Sequence, residues 1–182
     1  SERTVILSER RGSENQPTFW LREEVRSTAF KVHGYHHEII GDVHDLTTMT
    51  RDQLYTHYQY HYTPQNAVLV MAGAFQTADM RKKIDAYYGN IPNGAKPDLF
   101  SRPEPVQLGE RRVLVERPIK TAFVMVSYRA PEGTHRDWLA LSVLDSVLSG
   151  AGGSIDNKTS RLYKALVKSE ICVSMGGSIS ET

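Results

Sequence analysis

The chain has 182 residues and a formal net charge of +1, with a composition ordinary for a globular protein. A charge so close to neutral gives no indication of a surface for nucleic acid or for an anionic membrane. The single cysteine, Cys172, excludes an internal disulfide and any zinc site built from several cysteines. No stretch approaches about eighteen consecutive apolar residues, so the sequence predicts no membrane span.

Helical composition or amphipathic spacing predicts six helices along the chain. These cover residues 2–11, 17–30, 51–62, 78–89, 136–149 and 159–167. Thr50 and Gln53 form a capping-box pattern that marks the start of the third helix. Thr77 is predicted to cap the fourth helix, and residues 33–49 are predicted to form a loop.

Apolar, β-branched runs predict four strands. These are residues 66–75, 111–117, 121–130 and 170–180. Sequentially adjacent strands and separately grouped helices favour an α+β layer fold over a doubly wound one.

Four of the seven histidines lie in HGYHHEIIGDVHD, residues 33–45. The first five residues nearly match H-x-x-E-H, in which two histidines on one helical face hold zinc and the glutamate activates water. Here His36 occupies the position of the glutamate, and Gly34 does not favour a helix. These two defects favour a polar surface loop over a metal site.

Residues 152–159, GGSIDNKT, resemble the phosphate-binding pattern G-x-x-x-x-G-K-[ST], with Asn157 in the place of the second glycine. A phosphate-binding loop follows a buried strand, whereas this segment follows a predicted helix. Nucleotide binding is therefore the weaker interpretation of this loop.

Glu2 and Glu9 lie seven residues apart in the first predicted helix, two turns apart on nearly one face. Arg3, Arg10 and Arg11 could form ion pairs with them. On spacing alone, a solvated charged helix face is the favoured interpretation.

An ordered set of segments extends over essentially the whole chain. The segments are ERTVILSERR, HGYHHEIIGD, LTTMTRDQLYTHYQYHYTPQNAVLVMAGAF, YYGNIPNGAKP, EPVQLGERRVLVE, YRAPEGTHRDWLALSVLDSVLSG and SRLYKALV. Together they resemble the M16 zinc metallopeptidases, the group of pitrilysin, insulin-degrading enzyme and mitochondrial processing peptidase. Each segment is weak alone, but the ordered set is specific.

The resemblance implies an α/β roll with a largely antiparallel sheet and helices packed on one face. It implies that Glu9, the last residue of the family's E-R-x-V-x-x-x-E helix, is a zinc ligand, and that Glu2 supports the site without ligating. The histidine ligands and the general base belong to an H-x-x-E-H segment, which is absent here and expected upstream. No catalytic residue is therefore assigned within the chain. Residues 1–100 would complete a catalytic-type unit, and residues 109–182 would begin the next one.

The expected function is part of a zinc-dependent endopeptidase that hydrolyses peptide bonds with metal-activated water. The chain alone is expected to be inactive and to retain no tightly bound Zn²⁺. Expected partners are a peptide or unfolded protein substrate and a second M16-type half, in cis or in trans. The alternative is a non-catalytic M16-like subunit that serves as a binding or assembly partner. Analogy with bacterial relatives favours the periplasm or export.

Overall fold

The computed structural model describes residues 2–98, 102–150 and 158–180. Six α-helices lie in this part of the chain: α1 (Glu2–Glu14), α2 (Phe19–Ala29), α3 (Val43–Thr48), α4 (Arg51–His61), α5 (Thr77–Tyr88) and α6 (Trp138–Ser149). Two short 3-10 helices, Gly34–His36 and Pro64–Asn66, and a π-helical turn, Tyr163–Val167, complete the regular structure there.

The described residues contain no β-strand, so the predicted α+β roll with its largely antiparallel sheet is wrong. All four segments predicted as strands are irregular. Their side chains are largely in solvent: Val68 is 90% exposed, Val70 83% and Val124 88%. A β-branched run favours a strand, but a sheet forms only when a neighbouring segment completes the ladder and covers one face. Pairing with a neighbouring segment depends on residues that are distant in the sequence. The described residues show no such pairing.

The predicted start of α4 and the predicted end of α6 are confirmed by their capping geometry. The Thr50 hydroxyl accepts a hydrogen bond from the Gln53 amide at 3.2 Å, and the Gln53 side chain accepts one from the Thr50 amide at 2.8 Å. Helix α6 ends at Gly150, whose φ of +101° is a conformation that favours glycine. Local capping chemistry therefore marks the start of α4 and the end of α6.

The prediction that residues 33–49 form a loop is wrong for its second half, which contains α3. Asp42 caps this helix, because its carboxylate accepts a hydrogen bond from the His44 amide at 2.6 Å. Gly41, with φ +85°, turns the chain into the cap. Helix α5 is also capped one residue earlier than predicted, at Gln76, since Thr77 is already helical.

The chain divides into two compact units, Ser1–Met125 and Val126–Thr182. In the first unit, α1 packs against α2 and α3, and Phe19 and Arg10 are buried. In the second unit, Trp138 at the start of α6 is buried. The division of M16 units near residue 100 stays a prediction. No helix in the described ranges is both long and apolar enough to cross a bilayer.

Candidate functional site

Helix α1 carries both carboxylates that the resemblance assigns to a metal site. Glu2 and Glu9 are both exposed to solvent. Seven residues of α-helix rise about 10 Å, so the two backbone positions are two full turns apart. This separation is compatible with one carboxylate that binds a metal ion and a second carboxylate that lies farther from the ion. Both roles stay predictions.

Arg10, the residue after Glu9, is only 3% exposed and anchors α1 within the first unit. Its Nε donates to Glu14 one helical turn later at 2.9 Å. Its Nη2 donates to Glu23 on α2, also at 2.9 Å. Its Nη1 donates to the backbone carbonyl of Gly41 at 3.1 Å. One guanidinium therefore connects α1, α2 and the turn that precedes α3.

Two aromatic rings complete the surroundings of Arg10. The guanidinium carbon lies 4.8 Å from the ring centroid of Phe19 and 5.9 Å from that of Trp20. Burial alone would lower the pKa of Arg10, but its hydrogen bonds and charge interactions with Glu14 and Glu23 outweigh burial and raise that pKa above its ordinary value. The anchor is therefore charged at any physiological pH.

Arg3 fixes the other end of α1. Its guanidinium donates to the carbonyl of Thr47 at 3.1 Å and also to the carbonyl of Met49. These two carbonyls lie at the end of α3. Together with Arg10, Arg3 holds α1 at two points seven residues apart.

These anchors leave Glu9 free. Successive helical residues point about 100° apart, so the inward position of Arg10 turns Glu9 outward. In the part of the chain that the structure describes, the Glu9 carboxylate has no hydrogen bond or ion pair. Arg3 and Arg10 use other partners, which differs from the ion pairing that the charged-face interpretation suggested.

Glu9 does not complete a zinc site with the other described residues. Catalytic zinc takes three protein ligands and leaves one position open. Over residues 2–98, 102–150 and 158–180, no group of three or more His, Cys, Asp or Glu side chains is placed to hold a metal ion. What the arrangement offers is one carboxylate on a fixed helix, and no reaction step follows from it alone.

The predicted histidine loop uses its ring nitrogens for backbone contacts. His33 accepts a hydrogen bond from the Tyr35 amide at 3.2 Å and caps the 3-10 helix Gly34–His36. The Nδ1 atoms of His36 and His37 lie 2.8 and 3.1 Å from the carbonyl oxygens of His33 and Glu38. The other candidate loop, residues 152–159, falls outside the described residues up to Asn157.

Glu104 and Arg111, which belong to no motif in the sequence, form hydrogen bonds with the end of α2 and the residues that follow it. The Glu104 carboxylate accepts hydrogen bonds from the backbone amides of residues 31–33 at 2.8, 2.7 and 2.9 Å. Arg111 donates to the carbonyls of residues 28 and 29 at 2.6 and 3.0 Å. A cation at these carbonyls also complements the helix dipole. The partners lie more than 70 residues away along the chain, so no local pattern reveals either contact.

Comparison with known proteins gives consistent matches. The family described as "Peptidase M16 inactive domain" matches residues 48–182. The zinc protease PqqE of Helicobacter pylori is 28% identical, over 91% of this chain and 37% of its own length. The mitochondrial-processing peptidase subunit beta of Lentinula edodes is 22% identical, over 100% of this chain and 41% of its own length. A crystal structure of a protease from Helicobacter pylori superposes with a TM-score of 0.72 at 26% identity, over 91% of this chain and 40% of that one.

Proposed function

This chain belongs to the M16 peptidase family, and from that premise we propose that it forms part of a zinc-dependent endopeptidase. It spans 37% to 41% of the length of the two curated relatives described above, so the activity is proposed for the complete protein that carries it. Bound zinc would supply an acidified water for peptide-bond hydrolysis. Glu9 would give the metal one carboxylate oxygen, and Glu2 would support the site.

The observation that carries this proposal is the state of Glu9. A carboxylate that binds a metal needs an oxygen open to the ion and a rigid element to hold it in place. Glu9 is exposed and lies next to Arg10, whose contacts with Glu23 and Gly41 link α1 to α2 and to the turn before α3. Relatives that carry the name zinc protease support the choice of metal. The remaining ligands would come from outside this sequence.

The proposed substrate is a peptide or an unfolded protein, and the proposed partner is a second M16-type half in cis or in trans. One relative is by its name a subunit of a processing peptidase, which supports a partner of this kind. A closed arrangement of two halves would keep bulk water away from the reacting bond.

Hydrolysis of an unfolded fluorogenic peptide by the complete protein tests the proposal. Glu9→Gln removes the charge of the proposed ligand while keeping its size. It is expected to lower kcat/KM by more than about a hundredfold, since even residues behind the ligands change metal affinity or activity by roughly 10–100-fold. Glu24→Gln is the matched control, because Glu24 is an exposed glutamate on α2. Wild-type kcat/KM in Glu9→Gln would overturn the role of Glu9.

A second candidate function is a non-catalytic M16-like subunit that binds substrate or a partner. It is favoured by the description of the matching family as an inactive domain, and by the match starting at residue 48, after Glu2 and Glu9. The same assay separates the two candidates. A complete wild-type protein that binds the unfolded peptide but never cleaves it supports the second candidate.

A further inference from the structure

Helix α4 brings two histidines together outside the proposed catalytic site. His57 and His61 are four residues apart, the spacing that places side chains above one another on a helical face. Their ring centroids are 4.2 Å apart and the ring planes are inclined by 38°. Two imidazole nitrogens bound to one tetrahedral ion stand about 3.3 Å apart. Rotation of the two side chains can therefore direct one nitrogen from each ring to a common point without any backbone movement.

The ring nitrogens of this pair are available. Across the described residues, the structure gives no hydrogen bond to a ring nitrogen of His57 or His61. In the histidine-rich loop, by contrast, Nδ1 of His33, of His36 and of His37 contacts the backbone, so only Nε2 of each of these rings is open. A metal ion binds neutral imidazole through a free nitrogen. The pair on α4 therefore offers two open imidazoles one helical turn apart on the same face.

The surroundings of His57 leave room for a hydrated ion. His57 borders an open groove of about 530 Å³ that is also lined by Asp45, Met49 and Gln53. Water can complete a coordination shell there. Tyr60 contacts the His61 ring edge to face at 4.9 Å between centroids, which limits the orientations of that imidazole.

We propose that His57 and His61 form a two-histidine chelating site for a late first-row divalent cation such as Ni²⁺, Cu²⁺ or Zn²⁺. Imidazole ligands suit these ions, whereas Mg²⁺ and Ca²⁺ prefer oxygen. The site has two protein ligands and water in the other positions, so it binds more weakly than a three-ligand catalytic site. A bound ion cross-links the last turn of α4. The site is independent of Glu9 and of the proposed peptidase activity.

Calorimetric titration of the purified 182-residue chain with Ni²⁺ tests the site. One Ni²⁺ is expected to bind per chain, and His57→Asn or His61→Asn is expected to weaken it by more than about tenfold. The double substitution of His36 and His37 by Asn is the control and is expected to leave the affinity unchanged. Loss of binding in the control, or unchanged binding in His57→Asn, overturns the proposal, as does the absence of binding in the wild type.

A permuted variant separates chelation from the mere number of histidines. His57→Gln combined with Gln59→His keeps the composition but places the two imidazoles two residues apart, where they do not face each other. This variant is expected to lose the Ni²⁺ affinity and also the rise in thermal unfolding midpoint that Ni²⁺ causes in the wild type. Wild-type affinity in the permuted variant would contradict a chelate on one helical face. Far-UV circular dichroism verifies that each variant is folded.

Discussion

At the residue scale, Arg10 is a buried charge surrounded by partners that neutralise it. Replacing it by methionine leaves the carboxylates of Glu14 and Glu23 partly buried without their cation. Breaking a buried ion pair on one side is costly, so Arg10→Met is expected to lower the free energy of unfolding by about 3 kcal/mol. Urea denaturation followed by circular dichroism measures the change.

Arg11→Met is the control for this prediction, because Arg11 is the exposed neighbour on α1 and its loss should change stability by less than about 0.5 kcal/mol. The raised pKa of Arg10 adds stability that is complete below the ordinary pKa of arginine and is lost only as pH rises through the higher folded value. The destabilisation by Arg10→Met is therefore expected to be equal at pH 6 and pH 8. Equal stability of Arg10→Met and the wild type would show that Arg10 does not anchor α1.

At the scale of elements, Glu104 holds the segment that leaves α2. Its carboxylate accepts three backbone hydrogen bonds, from residues 31–33. Glu104→Ala removes all three, and a hydrogen bond to a charged group contributes about 1.5–3 kcal/mol. Amide hydrogen exchange at residues 31–33 is therefore expected to accelerate by about tenfold or more. Exchange measured by mass spectrometry on peptides that cover these residues tests this.

Glu110→Ala is the matched control for Glu104, because Glu110 pairs only with exposed Arg112 in the described contacts. It should leave exchange at residues 31–33 unchanged. Equal exchange in Glu104→Ala and the wild type would mean that the three hydrogen bonds do not restrain this segment.

Helix ends could be predicted from the sequence, whereas strand pairing and long-range contacts could not. The start of α4, capped by Thr50, follows from a capping box four residues long, and both of its hydrogen bonds form. The strand predicted around Val68 and Val70 depends on distant pairing that a local β-branched run cannot supply, and it does not form. The contacts of Glu104 are equally non-local. Local sequence therefore predicts helix ends to within a few residues. The lack of strand pairing and the contacts between Glu104 and the segment after α2 are seen only in the structure.

The candidate site shows the same division. The position of Glu9 on a helix follows from the sequence, and its free carboxylate follows from the inward turn of Arg10. In the sequence, the i, i+4 spacing of Arg10 and Glu14 indicates an ion pair at this position. The same spacing of His57 and His61 on a predicted helix indicates that their side chains are neighbours.

At the scale of the whole molecule, family membership rests on a match over residues 48–182. The family match covers the first compact unit from residue 48 onward and all of the second. The matched relatives are more than twice as long as the part that they share with this chain. The proposed zinc site would join Glu9 to ligands outside the chain, so its test uses the complete protein.

The zinc content of the complete protein tests directly whether Glu9 supplies a ligand. The complete protein is dialysed, and its zinc is measured by elemental mass spectrometry. All variants carry His57→Asn and His61→Asn, so that the weaker two-histidine site does not contribute. About one zinc per chain is expected in this background and after Glu24→Gln, and far less after Glu9→Gln. A Glu9→Gln protein that keeps its full zinc content would mean that Glu9 is not a ligand.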